Sequence, residues 1–139
     1  MRPPCLPLLK GFRVYLFIYI YLFFPLSIFL IQCSCYSDTN NNWGSISNAF
    51  LFSLRKKEGL GPFKSNVTTP SQAIYKFSSY GAYFGNGDIY IADNANSNNN
   101  SFTDFGNSYS VPSGVQDKYT ILAGTYHFSP DEVKVFYLD

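Results

Sequence analysis

Cysteine is missing from most of this chain. The three cysteines are Cys5, Cys33 and Cys35, and none follows position 35 in a sequence of 139 residues. The remainder therefore holds no disulfide, no thiolate metal site and no thiol for peroxide chemistry. Cys33 and Cys35 are too close for an ordinary structural bridge and lack the spacing of a redox motif, so we interpret them as unpaired.

Charge is also scarce, and it has no strong bias. Charged residues make up 14% of the chain, and the formal net charge is +1. The usual basic excess of nucleic-acid-binding proteins is absent, so we expect no nucleic-acid partner. The sequence has no phosphate loop, dinucleotide fingerprint or nucleophile elbow, and we expect no cofactor and no small-molecule substrate.

Histidine occurs once, at His127. One histidine without cysteine partners builds a zinc site only if carboxylates complete it. As a general base it would need a nucleophile, and Thr125 and Ser129 lie two residues away on either side. No third group that would orient the ring is evident, so we predict a structural role for this segment.

Three aspartates flank an asparagine-rich loop: Asp88, Asp93 and Asp104. Calcium prefers such oxygen ligands, but the spacing of an EF-hand fails at Ala95 and at Phe105. Because Asp and Asn also stabilise turns by hydrogen bonding to nearby amides, we predict turns here and no metal site.

Asp131 and Glu132 are adjacent acids. Glycoside hydrolysis needs two carboxyl groups that face each other across a cleft, whereas neighbouring residues of a turn point apart. We interpret the pair as a solvated turn, assign no catalytic, cofactor-binding or metal-binding residue to the chain, and predict that it is not an enzyme.

Aromatic residues are abundant, at 19%. A stacking surface for sugars or bases is one interpretation, although base stacking usually accompanies a basic groove. The other interpretation is that the aromatic rings pack in the core and pair across strands. The tyrosines to which these interpretations apply are Tyr75, Tyr80, Tyr83, Tyr90, Tyr109, Tyr119, Tyr126 and Tyr137.

Residues 14–31 (VYLFIYIYLFFPLSIFLI) form an uncharged apolar run that follows three basic residues. Three interpretations fit. The run is a single transmembrane helix with a cytoplasmic N-terminus, a signal peptide, or translated non-coding sequence in an artefactual gene model. Under each interpretation, we expect residues 14–31 to be helical if they fold. The chain is then a single-pass membrane protein if the run is genuine, and cytoplasmic otherwise.

The rest of the chain is predicted to be mainly β. Short apolar or alternating runs separated by Gly, Asn and Pro predict strands in an antiparallel, two-sheet architecture. Gly85-Asn86-Gly87 predicts a turn and residues 94–100 a loop. The domain organisation is a hydrophobic segment at 1–35, a linker at 36–48 and a β-domain at 49–139. The predicted strands are residues 49–54, 73–77, 88–93, 120–128 and 133–138.

Four segments resemble the TLDc domain of the oxidation-resistance proteins and their relatives. They are AFLFSL at 49–54, AIYKF at 73–77, YFGNGDIYIADNANSNNNSFTDFGNSY at 83–109 and LAGTYHFSPDEVKVFYL at 122–138. The resemblance implies the C-terminal part of a TLDc domain, which is a β-sandwich flanked by a few helices. It implies a non-catalytic interaction and regulatory module linked to oxidative-stress protection, with vacuolar-type ATPase subunits among its partners.

Two other functions remain open at this point. One is a secreted or membrane-tethered sugar-binding β-domain, for which Asn66 and Asn99 lie in glycosylation patterns. The other is a hydrolase or a peroxide-handling enzyme. We further expect Ile89, Ile91, Leu122 and Phe136 in the core and residues 96–100 at the surface.

Overall fold

The computed structural model describes residues 13–22, 24–33, 41–53, 62–76 and 81–138. Within these ranges, side-chain surroundings are described for 41–53, 62–75 and 81–131. The described residues are mainly β, and their sheets are antiparallel. Their strands are β1 (Arg13–Leu22), β2 (Phe24–Cys33), β3 (Asn42–Gly44), β4 (Phe50–Ser53), β5 (Phe63–Asn66), β6 (Ile74–Lys76), β7 (Tyr83–Phe84), β8 (Ile89–Tyr90), β9 (Ser101–Thr103), β10 (His127–Phe128) and β11 (Glu132–Leu138).

The apolar N-terminal run is the largest departure from the predicted structure. Instead of the expected helix over residues 14–31, β1 and β2 pair with each other, and β1 also pairs with β11 in a three-stranded sheet. The physical reason is side-chain type: Phe, Ile and Tyr, which favour strands over helices, make up most of this run. In the part of the chain that the structure describes, no helix is long and apolar enough to cross a membrane.

The largest sheet has six strands in the order β10-β9-β8-β7-β6-β3. Four of them follow one another along the chain from β6 to β9, as expected because consecutive strands usually lie next to each other in a sheet. Its edge strand β3, Asn42–Gly44, lies in the segment that we predicted as linker. It pairs there because Trp43 meets Tyr75 of β6 directly across the strands.

A further pair, β4 with β5, contributes to the same core as the six-stranded sheet. The predicted core positions Ile89, Ile91 and Leu122 are buried, which confirms those predictions. Phe136 lies outside the residues whose side chains are described. The buried apolar cluster consists of Ala49, Leu51, Ala73, Phe84, Ile89, Ile91, Ala95, Phe105, Tyr109, Ile121, Leu122 and Phe128.

The strand predicted over residues 120–128 is wrong in its first part, since only His127–Phe128 is a strand. Residues 118–123 form a turn, in which the Gly124 N–H donates to the Thr120 carbonyl at 2.8 Å. Gly124 has φ of 77°, a left-handed conformation that interrupts a strand. Ile121 and Leu122 are nevertheless buried, which explains why this segment looks strand-like in sequence.

The asparagine-rich loop folds on itself, as predicted. It contains a short 3₁₀ turn at Ala95–Ser97, and the Asn98 side-chain amide donates to the carbonyls of Asp93 and Asn94. Of residues 96–100, only Asn98 is half-buried, and the other four are exposed as expected.

Candidate functional site

Six ring-bearing residues form a continuous line across the six-stranded sheet, one on each strand. Each is the direct cross-strand partner of the next, so no residue interrupts the line. We call this line the aromatic row, and it consists of Trp43, Tyr75, Tyr83, Tyr90, Phe102 and His127.

Strand alternation places these rings on the outer face of the sheet. Neighbouring residues on the same strands, namely Phe84, Ile89, Thr103 and Phe128, are at most 2% exposed and belong to the interior. Successive residues of a strand point to opposite faces, so the row lies on the face away from the core. Its members are half-buried except for His127, which is exposed.

Neighbouring rings of the row are in contact along its whole length. The centroid distances are 4.9 Å from Trp43 to Tyr75 and 6.4 Å from Tyr75 to Tyr83. They are 5.9 Å from Tyr83 to Tyr90 and 5.4 Å from Tyr90 to Phe102. These distances lie in the range in which aromatic pairs attract each other, so each ring helps to fix the orientation of the next.

The rings do not lie in one plane. The planes of Trp43 and Tyr75 are inclined at 87°, and those of Tyr75 and Tyr83 at 84°. The inclination is 59° between Tyr83 and Tyr90. Neighbours inclined in this way form a ridged surface rather than a flat platform.

Two exposed tyrosines, Tyr126 and Tyr119, add further rings at the end of the aromatic row that holds Phe102 and His127. Tyr126 stacks on Phe102 with centroids 5.5 Å apart, and Tyr119 meets Tyr126 edge to face at 5.6 Å. Tyr126 and Tyr119 are 40% and 42% exposed, which places them among the most exposed large apolar side chains described. Lys118 lies over the Tyr119 ring at 5.1 Å and pairs with Asp104 at 2.7 Å, so these two charges compensate each other.

Asp88 lies between β7 and β8, the central strands of the aromatic row, and ties them to the loop that follows β9. It is fully buried, and its carboxylate accepts backbone N–H groups from four consecutive residues. One oxygen accepts from Gly106, Asn107 and Tyr109 at 3.0 to 3.1 Å, and the other accepts from Ser108 at 2.8 Å. We call this arrangement the Asp88 cradle. It satisfies donors that would be costly to leave unpaired in the interior.

The cradle is linked to neighbouring segments by hydrogen bonds from its own residues. The Asn86 N–H donates to the Ser108 hydroxyl at 3.0 Å, and the Ser108 carbonyl accepts from Thr68 at 2.7 Å. The Tyr109 hydroxyl donates to the Ala73 carbonyl at 2.8 Å. The turn before β8, the loop after β9 and the connection before β6 are therefore tied together, which fixes the sheet under the row.

Burial raises the pKa of the Asp88 carboxyl above its ordinary value, and the four N–H donors, which favour the charged form, oppose that rise. A carboxyl with a raised folded-state pKa costs stability as the pH climbs through that pKa. The cradle lowers this cost. Burial, with a smaller contribution from the Asp88 charge, also raises the pKa of Tyr83, so this phenol in the row stays neutral at physiological pH.

The structure does not gather the three aspartates around a cation. Asp88 faces backbone amides, Asp104 faces Lys118, and the side chain of Asp93 is half-buried at the start of the asparagine loop. No group of three or more His, Cys, Asp or Glu side chains suited to a metal ion occurs within the described ranges.

The residues considered for catalysis are not organised for it. The Thr125 hydroxyl donates to the His127 carbonyl, and the Ser129 hydroxyl donates to the Ala95 carbonyl at 2.9 Å. The His127 ring instead contacts the rings of Tyr126, at 4.6 Å, and Phe102. Asp131 is exposed, and Glu132 begins β11, where its side chain lies outside the description.

Sequence reasoning identified only part of the row. It named Tyr75, Tyr83 and Tyr90, but it placed Trp43 in the linker at 36–48 and did not include Phe102 or His127 among the aromatic residues of a possible surface. It also included Tyr109, which is buried beside the cradle. The missing signal was strand register, since alternation assigns a face to each residue but does not show which residues of different strands stand opposite each other.

Comparison with known proteins gives no match. No family profile matches the chain, and no curated protein or solved structure shows significant similarity to it. The described residues alone define the class of protein, which is an antiparallel, mainly β chain with a ridged aromatic row on one sheet.

Proposed function

We propose that this chain is a non-catalytic protein-interaction module of the TLDc type, and that the aromatic row is its contact surface. The row itself carries this proposal. Trp and Tyr are the residues that most often dominate protein-protein binding energy, because they bury large areas and lose little side-chain entropy. Here five aromatic rings and a histidine stand side by side on one face.

The resemblance in residues 83–109 supports the assignment to the TLDc type. This stretch holds the two central strands of the row, β7 and β8, together with β9 and the Asp88 cradle. We propose that these sheets form a partial TLDc-like two-sheet sandwich. The polar groups within the stretch hold backbone amides in place, which suits a rigid binding surface better than a reaction centre.

The partner class that the resemblance implies is the vacuolar-type ATPase, with a role in protection against oxidative stress. The direct test immobilises the full chain and measures the affinity of the purified ATPase for it. We expect saturable binding that weakens at least about tenfold in Tyr90→Ala and in Phe102→Ala. Phe50→Ala is the matched control, because Phe50 is a half-buried aromatic residue on β4 rather than on the row. Absence of saturable binding, or equal losses in all three variants, would contradict the proposal.

A sugar-binding β-domain is the second candidate, and the same row is the observation that favours it. Aromatic faces stack on sugar rings, and both Asn66 and Asn99, which lie in glycosylation patterns, are exposed. Against this candidate, a linear glycan needs several ring faces turned the same way. The first three rings of the row are inclined to their neighbours at 84° to 87°. Screening the full chain against an oligosaccharide array separates the two, and saturable glycan binding lost in Tyr90→Ala would favour the sugar-binding candidate.

A further inference from the structure

The turn between β7 and β8 contains Asn86, an asparagine that is followed directly by a glycine. An asparagine reacts with its own chain when the backbone nitrogen of the next residue attacks the side-chain carbonyl carbon. Glycine at the next position favours this attack, because it has no Cβ to obstruct the ring that forms and its backbone adopts many conformations. Asn86 is the one asparagine in the sequence that a glycine follows, which makes it the first candidate for this reaction.

Within the described ranges, neither reacting group of this pair makes a hydrogen bond. The Asn86 side chain is exposed, and its amide group has no hydrogen-bond partner among the described residues. The backbone N–H of Gly87, whose nitrogen would attack, is likewise without an acceptor in that part of the chain. Gly87 is buried, whereas the amide that would leave from Asn86 faces the solvent. The reaction therefore breaks no hydrogen bond of the folded chain at either group.

Asn107 is also exposed, but hydrogen bonds hold both of its reacting groups. Its side-chain amide donates to the Asp104 carbonyl at 2.9 Å. The nitrogen of the next residue, Ser108, donates to the Asp88 carboxylate at 2.8 Å. Attack at Asn107 would have to break both hydrogen bonds, and one of them belongs to a buried carboxylate. Asn107 is thus an internal reference for Asn86 in the same molecule.

We propose that Asn86 is a site of spontaneous deamidation in the folded chain, and that the isoaspartate formed there weakens the Asp88 cradle. The Gly87 nitrogen forms a bond to the Asn86 side-chain carbonyl carbon, and the bond from that carbon to the side-chain nitrogen breaks. The side-chain nitrogen takes the proton of the Gly87 N–H and leaves as ammonia, and a succinimide ring remains. Water then opens the ring. Cleavage at the side-chain carbonyl gives aspartate, and cleavage at the main-chain carbonyl gives isoaspartate.

Isoaspartate lengthens the turn that carries Asp88, because its main chain runs through the former side chain and gains one carbon. The turn has no spare room, since a Cβ at Gly85 would lie 2.0 Å from an Asp88 carboxylate oxygen. The Asn86 N–H also donates to the hydroxyl of Ser108, a residue of the cradle. The product adds a negative charge two positions before Asp88, and like charges disfavour each other. This inference goes beyond the proposed function, since it holds with or without a partner.

The first experiment locates the reaction without any substitution. The full chain is incubated at physiological temperature in mildly alkaline buffer, both folded and unfolded by guanidinium chloride. Mass spectrometry with electron-transfer fragmentation follows the loss of each amide and distinguishes isoaspartate from aspartate. We expect Asn86 to react at similar rates in both samples and Asn107 to react several-fold more slowly in the folded one. Because each asparagine is compared with itself, the following residue does not bias the result. Equal protection of both asparagines by folding would overturn the inference.

The second experiment measures the effect on the cradle by thermal unfolding after the same incubation. Asn86→Gln is the control, because a glutamine closes the larger ring far more slowly and the exposed site, which has no positive φ, accommodates it. The unsubstituted chain should unfold at a lower temperature as isoaspartate accumulates, while Asn86→Gln should not change. Fresh Asn86→Asp, which adds the charge without the extra carbon, should show a smaller shift. Equal shifts in the incubated chain and in Asn86→Gln, or no shift after full conversion, would overturn the inference.

Discussion

At the scale of single residues, Asp88 ties together the backbone of the stretch at residues 83–109. Its carboxylate organises residues 18 to 21 positions further along the chain. The residue types around it were informative on their own: the turn at Gly85-Asn86-Gly87 follows from the tolerance of Gly and Asn for positive φ, and Gly85 and Gly87 have φ of 62° and 95°. The partners of Asp88 were not predictable, because a carboxylate that binds amides and one that binds a cation look alike in sequence.

Asp88→Asn should destabilise the chain by about 1–3 kcal/mol. The substitution replaces one carboxylate oxygen with an NH₂ group, which meets the buried N–H of Ser108 or, if the amide turns over, the other donors. Urea denaturation of the purified protein measures the change. Asp117→Asn is the control, because Asp117 is exposed and keeps an oxygen for the Tyr119 N–H; it should change stability by less than about 0.5 kcal/mol. Equal effects of the two substitutions would show that the cradle is unimportant for stability.

Gly85→Ala tests the turn that carries Asp88. Gly85 has φ of 62°, and a Cβ there would lie 2.0 Å from an Asp88 carboxylate oxygen. We expect a loss of about 2–5 kcal/mol, from backbone strain and from displacement of the carboxylate. Gly114→Ala is matched in backbone conformation, with φ of 79°, but has no atom within 4 Å, so it should lose only about 1–2 kcal/mol. Thermal unfolding of both variants gives the comparison, and a smaller loss at Gly85 than at Gly114 would contradict it.

At the scale of elements, the hydrophobic pattern predicted the positions of regular elements better than it predicted whether each element is a helix or a strand. The apolar run at the N-terminus is uniform enough to suit a helix or a buried strand, and length favoured the helix. The structure has two strands of ten residues there, and each strand finds its partners elsewhere in the run or at the end of the chain. Pairing between residues more than a hundred positions apart leaves no local sequence pattern, so this sheet was not predictable.

The register of β1 and β11 is open to a direct test by disulfide formation in a background in which the native cysteines are replaced by serine. Ile18 and Val133 are cross-strand partners, and such residues are close enough for a bridge. Ile18→Cys with Val133→Cys should therefore oxidise to an intramolecular disulfide, detected by mass spectrometry. Ile18→Cys with Lys134→Cys, displaced by one residue from the register, should not. A helix over residues 14–31 would give no bridge in the first pair.

At the scale of the whole molecule, the three-stranded sheet joins the two ends of the chain. Removing residues 1–40 takes away β1 and β2 and leaves β11 without its pairing partner. The shortened chain exposes a strand edge and apolar surface, so it should be poorly soluble and should lose its sharp thermal transition. Calorimetry with a check of oligomeric state measures this. A monomer that unfolds sharply above about 50 °C would show that residues 41–139 are self-sufficient.

The aromatic row is also a property of the whole molecule, because it forms only when all six strands of its sheet pair in the observed register. Sequence alone predicted that the domain is mainly β with buried Ile89 and Ile91, but not that Trp43, Phe102 and His127 join the tyrosines in one line. A surface feature that arises from strand register therefore becomes visible only in the assembled sheet.

Whether the aromatic row contacts a partner is tested most directly by site-specific photo-crosslinking with the purified ATPase. A benzophenone side chain replaces Tyr90, on the row, in one variant of the full chain and Phe50, off the row, in another. We expect a light-dependent crosslink from position 90 to a subunit of the ATPase, and none from position 50. Crosslinks from both positions alike, or from position 50 alone, would contradict the claim that the aromatic row is the functional surface.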